Sequence, residues 1–300
     1  MIIKSRLTGS TWRYGILLAI VLFIPASAFA QTKPSTSPSP QPQASPSTTL
    51  ERRFFKNILS DQKAIWTFPL RLQGEDARWL VPFGVSTAAL IATDRRTAAE
   101  IRESDSQLTA SRDISRLGAA ETTGGLAAAF YLVGRARNDR RLKETGLLGA
   151  EALIDGLIVS ESLKTITQRP RPLEDNGRGR FFRGGNSFPS GHAIGAWSFA
   201  TVVANEYDNN RLIKFSAYGL AAAVSISRYT GERHFLSDIF VGSVIGYGVG
   251  RYVYRTHHDP NNNSGDGSTQ HRTSSKLFPM IVPSYDRRAR EYGINLAWSF

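Results

Sequence analysis

Six apolar stretches of helical length are the feature that most constrains the fold of this 300-residue chain. They are rich in Ala, Leu, Ile and Gly, and turn-forming residues such as Asn209 and Asn210 separate them. The stretches cover residues 79–93, 117–134, 145–167, 193–205, 212–227 and 239–254. Six helices with short connections predict an all-α fold, a six-helix bundle within a domain spanning residues 50–258.

These helices are short for membrane spans. The longest uncharged run that fits a single helix, 79–93, has 15 residues, whereas a span needs about 18–20. Acidic residues inside the other stretches, such as Asp155, are costly in lipid. We therefore expect a water-soluble or surface-bound bundle, although small residues such as those in 219–225 are also used by packed membrane helices.

The N-terminus predicts export. Lys4, Arg6 and Arg13 precede an apolar run at 14–24, and residues 28–30 (Ala-Phe-Ala) fit the small-x-small pattern of a cleavage site. Residues 1–30 are therefore interpreted as a signal peptide; an uncleaved membrane anchor is the alternative. In both cases the rest of the chain is placed in the periplasm or cell envelope, with membrane association left open.

Two polar linkers and a short tail flank the predicted domain. Residues 31–49 are dominated by Pro, Ser and Thr and predict a disordered linker, and 259–276 form a second polar linker. In 277–300 apolar residues alternate with small or polar ones, which predicts a β-hairpin with its turn near residues 286–288. An aromatic residue ending such a strand also fits an outer-membrane barrel, but a barrel needs about eight strands and hence other chains.

Composition excludes several classes of protein. Hydrophobic residues make up 41% of the chain, enough for a core, and the formal net charge is +12. There is no cysteine, so disulfides, zinc–thiolate sites and cysteine nucleophiles are excluded. The basic residues are scattered and no nucleic-acid-binding motif is present, so we predict no nucleic acid partner. An anionic substrate or an anionic membrane surface remains as the partner that the charge fits.

Three short clusters carry the chemistry. Each alone has an ordinary explanation: charges at a helix end, a capped helix start, or an i, i+4 surface pair. Together they contain the only two histidines inside the predicted bundle, since the other three of the five lie in or beside the polar tail region. The clusters are Lys164-x6-Arg171-Pro172, Pro189-Ser190-Gly191-His192 and Ser227-Arg228-x5-His234-x3-Asp238.

The positive groups in these clusters fit phosphoryl transfer, in which charge spreads over three equatorial oxygens. Lys164, Arg171 and Arg228 can neutralise that charge, and the arginines can bind it through two hydrogen bonds. Ser190 and Gly191 stand at a predicted helix N-terminus, where free backbone N–H groups receive anions. We therefore predict that these five residues bind the substrate phosphate.

The two histidines and the aspartate fit the reacting roles. His234 and Asp238 lie one helical turn apart, so the carboxylate can hold Nδ1–H and leave Nε2 as the nucleophile. His192 is then available to protonate the leaving oxygen as general acid. This chemistry needs no metal or other cofactor, and the sequence shows no Asp/His cluster with the spacing of metal ligands.

The three-part pattern resembles the signature of the phosphatidic acid phosphatase type 2 (PAP2) superfamily, without a departure from Lys164 to Asp238. The family includes lipid phosphate and prenyl-pyrophosphate phosphatases, soluble acid phosphatases and vanadium haloperoxidases. The resemblance implies a helical bundle and a phosphohistidine formed on His234, with His192 as acid and Asp238 as its partner. It implies phosphate contacts from Lys164, Arg171, Ser190, Gly191 and Arg228. The linkers and the tail lie outside it.

Two alternatives and the substrate class stay open at this point. A vanadate-dependent haloperoxidase would use the same oxyanion site, and a non-catalytic envelope protein would keep a relic of it. The substrate is expected to be a lipid phosphate, a prenyl pyrophosphate or a soluble phosphomonoester. An apolar groove for a lipid tail is one interpretation of Phe181, Phe182, Phe188, Trp197 and Phe235, and ordinary core is the other. Recruitment of anionic head groups, or plain solvated charge, is expected of Arg169, Arg178, Arg180 and Arg183.

Overall fold

Eight α-helices account for most of residues 48–259 in a computed structural model, which describes residues 48–101, 104–259, 280–286 and 291–297. The predicted signal peptide, nearly all of the first linker and most of the second linker lie outside the described residues. The helices are α1 (Thr48–Thr67), α2 (Ala77–Ala99), α3 (Asp105–Leu117), α4 (Ala120–Ala136), α5 (Arg140–Thr167), α6 (Gly191–Glu206), α7 (Arg211–Thr230) and α8 (Leu236–His257). The all-α prediction is confirmed.

The described helices number eight, against six predicted, because α1 and α3 bury polar rather than apolar side chains. Among the described side chains of α1, the buried ones are Asn57, Ile58 and Asp61. Those of α3 are Ser111 and Ser115, which bond to α7 through Thr230 and Ser227. A search for apolar periodicity passes over helices of this kind.

Helix α6 is the centre of the bundle and is buried along nearly its whole length. It packs closely against α8, and glycine at positions 246 and 250 permits this approach. Any side chain at Gly246 or Gly250 would collide with the carbonyl oxygen of Ile194 or Ser198. At one end of this helix pair, the backbone N–H of Ser190 donates to the carbonyl oxygen of Asp238 (3.0 Å). The N-termini of α6 and α8 therefore meet.

The C-terminal residues form a pair of antiparallel strands, β1 (Met280–Asp286) and β2 (Glu291–Ala297), with Met280 opposite Ala297 and Asp286 opposite Glu291. Across the described ranges, none of the helices combines the length and the apolar character that crossing a membrane requires.

Candidate functional site

The three predicted clusters meet where α5 ends and α6 and α8 begin. The Ser190 backbone is bonded to Asp238, and the His234 ring lies against the backbone of Ser187. A side chain added at Gly191 would lie 3.2 Å from Lys164 Nζ, so the lysine approaches the start of α6 directly. Residues far apart in sequence are thus brought to one place.

The orientation of the His234 ring is fixed by a backbone carbonyl. His234 is 3% exposed, and its Nδ1 lies 2.8 Å from the carbonyl oxygen of Ser187. Because a carbonyl oxygen only accepts hydrogen bonds, Nδ1 carries the proton and Nε2 keeps its lone pair. Burial, followed by the charges of Arg228 and Arg171, lowers the pKa of His234 despite the opposing effect of Asp238.

Asp238 lies on the Nδ1 side of the His234 ring. Its Oδ2 lies 3.6 Å from His234 Nδ1, and it accepts hydrogen bonds from Ser187 Oγ (2.5 Å) and the Phe235 backbone N–H (2.9 Å). Burial opposes ionisation of Asp238, but His234, Arg169 and Ser187 outweigh it and lower the pKa of the carboxyl. The Asp238 carboxylate is thus farther from Nδ1 (3.6 Å) than the Ser187 carbonyl oxygen is (2.8 Å), and Ser187 contacts both side chains.

Arg169 is a residue whose position the sequence did not indicate. It is 1% exposed and bridges two buried carboxylates, Asp94 of α2 (2.8 Å) and Asp238 (2.6 Å). Its guanidinium also stacks on the rings of Phe181 and Phe235. The expectation that Arg169 recruits head groups or is solvated charge is therefore wrong: it is a buried connector between α2 and the site.

The other three arginines of that set are exposed on the loop between α5 and α6. Arg180 pairs with Asp175 at 3.2 Å. The loop itself is bonded to the end of α5, since the backbone N–H groups of Phe182 and Ser187 donate to the carbonyl oxygens of Thr167 and Arg169. The segment that carries Ser187 is thus held in place against the site.

Positive charge is concentrated around His192. Burial, followed by the charges of Arg228, His234, Lys164 and Arg171 in that order, lowers the pKa of His192 to about 3. The same crowding lowers the pKa of Arg228 to about 10, with burial as the main cause and Arg171 next. Lys164 has one carboxylate neighbour, the exposed Glu161, at 2.7 Å. Such an excess of cations favours an anion.

Several buried polar atoms at the same place make no hydrogen bond to any of the residues that the structure describes. They are Ser160 Oγ, Arg171 Nε, Ser190 Oγ and Arg228 Nε. Ser190 occupies the N-cap position of α6, yet its side chain makes no capping bond. Buried donors are usually satisfied, so four unpaired groups beside an excess of cations indicate the site of an oxyanion.

An apolar groove of about 560 Å³ begins beside the start of α8. It is lined by Leu90, Trp197, Ser225, Leu236, Ile239, Phe240, Ser243, Val244 and Tyr247. Of the five aromatic residues considered from the sequence, only Trp197 is in this lining. Phe235 is fully buried beside Arg169, and Phe182 is 72% exposed on the loop.

Two clusters of acidic and histidine side chains lie far from this site, and sequence spacing did not reveal them because their members come from distant helices. The clusters are Asp61 with Glu151 and His257, and Glu144 with Glu206 and His258. In the first, burial and then the neighbouring Asp61 raise the pKa of Glu151 to about 9. In the second, hydrogen bonds to Glu144 and Glu206 raise the pKa of His258 to about 9.

Comparisons with known proteins point in the same direction as the motifs. Residues 145–262 match the protein family described as the PAP2 superfamily. A lipid A 1-phosphatase of Porphyromonas gingivalis is 36% identical over 70 residues, which are 23% of this chain and 16% of that protein. The chain therefore spans about a sixth of that curated relative.

Two solved structures are more distantly similar. LpxE of Aquifex aeolicus is 22% identical with a TM-score of 0.41, and the match covers 54% of this chain and 92% of that one. The transmembrane PAP2-type phosphatidylglycerolphosphate phosphatase of Bacillus subtilis is 20% identical with a TM-score of 0.43, covering 68% and 94%.

Proposed function

We propose that this protein, whose residues 145–262 match the PAP2 superfamily, is a phosphatase that hydrolyses lipid phosphomonoesters or pyrophosphates through a phosphohistidine. The observation that carries this proposal is the convergence of Arg171 and Arg228 on His234, whose Nε2 keeps its lone pair. Lys164, the unpaired Ser190 Oγ and His192 lie at the same place.

In the first step, the Nε2 lone pair of His234 attacks phosphorus. The N–P bond forms while the bond from phosphorus to the leaving oxygen breaks, and His192 gives its proton to that oxygen. His192 is neutral in the free protein, since its pKa is about 3. The negative charge of a bound phosphate opposes the surrounding cations, and His192 takes up its proton when substrate binds.

In the second step, water attacks phosphorus and the N–P bond breaks. His192, now neutral, accepts a proton from the water, and His234 recovers its lone pair as inorganic phosphate leaves. The equatorial oxygens are stabilised in both steps by the three cations and by the free N–H groups at the start of α6. Protons and electrons balance with these residues alone, so the mechanism invokes no metal ion.

A lipid substrate is favoured by the groove. Leu236 and Ile239, which flank the site on α8, also line the apolar groove, and the lining continues along α8 to Tyr247. A phosphate bound at His234 would thus have an apolar surface beside it for a hydrocarbon tail. The similarity of part of the chain to a lipid A 1-phosphatase supports the same substrate class.

The test is phosphate release in EDTA by the purified chain and by His234→Ala. Phosphatidic acid, a prenyl pyrophosphate and a soluble aryl phosphate would be compared. We expect the lipid substrates to be hydrolysed with the higher kcat/KM, and all activity to be lost in the variant. Higher kcat/KM for the aryl phosphate would contradict the lipid assignment. If none of the three substrates is hydrolysed and the chain instead oxidises halide with peroxide when vanadate is added, the protein is a haloperoxidase and not a phosphatase.

A further inference from the structure

The buried cluster around Glu151 joins three helices at the end of the bundle remote from the phosphate site. Asp61 comes from α1, Glu151 and Asp155 from successive turns of α5, and His257 from the last residue of α8. The three acidic residues are at most 2% exposed, and the His257 side chain is 12% exposed. This group is called the α1–α5–α8 cluster below.

The charges of this cluster do not balance within the protein. Three carboxylates face one imidazole, and no lysine or arginine of the described residues forms an ion pair with them. The neutral donors nearby are the amides of Asn57, which bonds Glu151 (3.5 Å), and Gln62, which bonds Asp155 (2.8 Å), and the Tyr252 hydroxyl beside Asp61. Burying unpaired carboxylates is expensive, so the cluster needs a cation or shared protons.

The geometry fits a metal ion. His257 Nε2 lies 3.0 Å from both carboxylate oxygens of Asp61 and 3.1 Å from Glu151 Oε1. Two neighbouring ligand atoms, each about 2.1 Å from an ion, are about 3.0 Å apart in an octahedral shell and about 3.4 Å apart in a tetrahedral one. In addition, the buried Glu151 Oε1 and Asp155 Oδ2 accept no hydrogen bond from the residues that the structure describes. These oxygens are available as ligands.

The second acid–histidine cluster provides a contrast within the same molecule. Its two carboxylates, Glu144 and Glu206, are matched by two basic side chains. His258 Nδ1 lies 3.0 Å from Glu144 and 3.4 Å from Glu206, and Arg141 Nε lies 3.6 Å from Glu206. This cluster balances its own charge, so it needs no additional cation, although His258 directly follows His257 in the sequence.

We propose that Asp61, Glu151 and His257 bind one divalent transition-metal ion, of the Zn²⁺ or Mn²⁺ type, with Asp155 as a further oxygen donor. A ligand set of one imidazole and several carboxylates suits these ions, whereas Ca²⁺ and Mg²⁺ prefer oxygen ligands alone.

The role of this ion is structural. Asp238 and His257 are nineteen positions apart on α8, which corresponds to about 28 Å along the helix. The ion is therefore too distant to act on the phosphate. Helix α1 buries only Ile58 as an apolar residue, beside Asn57 and Asp61. The ion would fasten this polar helix to α5 and α8.

The experiment uses the full chain, stripped with EDTA and then titrated with Mn²⁺ alone and with Zn²⁺ alone. Bound metal would be counted by mass spectrometry, Mn²⁺ binding followed by loss of the free-ion EPR signal, and Tm measured at each concentration. We expect one ion per chain and a Tm higher by about 5–10 °C at a hundredfold excess over Kd. Glu151→Gln and His257→Gln should each weaken binding at least about 100-fold, while His258→Gln keeps it.

The metal-dependent rise in Tm separates the ligands from residues that merely stabilise the fold, since that rise is unchanged in His258→Gln whatever the Tm of the metal-free variant. If the wild-type chain binds no stoichiometric metal and its Tm is unchanged, the cluster shares protons instead and the proposal is overturned. Equal binding by wild type and both ligand variants would also overturn it, because the metal would then lie elsewhere. Wild-type stoichiometry decides the question even if a variant fails to fold. None of these results depends on phosphatase activity.

Discussion

His234 and Ser187 are joined by a contact of 2.8 Å between the imidazole Nδ1 and a backbone carbonyl oxygen. The carbonyl cannot donate, so it selects the Nδ1–H form whatever the state of Asp238. Ser187 also donates from its hydroxyl to Asp238 Oδ2. One residue thus orients the ring through its backbone and links it to the carboxylate through its side chain.

This arrangement predicts a mild effect of Asp238→Asn on the tautomer. The Ser187 carbonyl should keep His234 in its Nδ1–H form, so kcat should fall by about 10–100-fold rather than the 10⁴-fold seen when a catalytic histidine adopts the wrong tautomer. Nitrogen NMR of the ring would identify the tautomer, alongside kcat for an aryl phosphate. A loss near 10⁴-fold with an Nε2–H ring would show that Asp238, not Ser187, sets the tautomer.

The sequence placed the side chains of the site better than the groups that orient them. His234 and Asp238 are four residues apart on a helical pattern, so their proximity follows from helix geometry. The carbonyl of Ser187 has no residue-specific signal, because every residue has one. Arg169 lies among other arginines and prolines and has the composition of a surface loop. Its burial depends on Asp94, which is 75 positions away.

Contacts between residues that are distant in sequence also explain which helices the sequence did not predict. Apolar stretches in the sequence predicted six helices, among them α2, whose one buried residue is the polar Asp94. By contrast, α1 and α3 have no such apolar stretch and bury polar side chains whose partners lie on other helices. The α1–α5–α8 cluster was hidden for the same reason: Asp61 and His257 are almost two hundred positions apart. A spacing rule for metal ligands detects only ligands that are neighbours in sequence.

The Arg169→Met variant should have a lower free energy of unfolding than the wild type. It removes the partner of two buried carboxylates, Asp94 and Asp238, and breaking a buried pair in this way costs about 3–5 kcal/mol. Urea denaturation would give the change in the free energy of unfolding. Arg180→Met is the matched control, since its pair with Asp175 is half exposed and should contribute less than about 1 kcal/mol. Equal changes in the two variants would contradict the connector role of Arg169.

Val244→Asp should separate lipid from soluble substrates. Val244 lines the apolar groove, and a carboxylate there would repel a hydrocarbon tail while leaving the phosphate site unchanged. We expect kcat/KM for phosphatidic acid to fall at least about 10-fold and that for an aryl phosphate to stay within about twofold. Leu132→Asp, on the exposed face of α4, is the control and should change neither. An equal loss of kcat/KM for both substrates would show that the groove does not bind the lipid tail.

The protein should take up a proton when it binds an oxyanion. His192 has a pKa of about 3 in the free protein and is neutral at pH 6. Bound tungstate, a dianion, offsets the cations and raises that pKa, so the complex binds more protons than the free protein and affinity falls as pH rises. Calorimetry at pH 6 in buffers of different ionisation enthalpy would count the protons. We expect up to one per chain, and none in His192→Gln; uptake that persists in the variant would assign the proton to another group.

Ser190→Ala should lower activity without lowering stability. The residue stands at the N-cap of α6, but its buried Oγ makes no capping bond and no other hydrogen bond in the described part of the chain. Removal of the hydroxyl therefore takes nothing from the helix, whereas loss of a donor to the transferring phosphoryl group should reduce kcat/KM by about 10-fold or more. The matched control is Asn210→Ala, because Asn210 caps α7 by accepting from the Ile213 N–H (3.2 Å). That variant should lose about 1 kcal/mol of unfolding free energy and keep its kcat/KM. If Ser190→Ala instead destabilises the protein like Asn210→Ala and retains full activity, Ser190 is a helix cap and not a phosphate ligand.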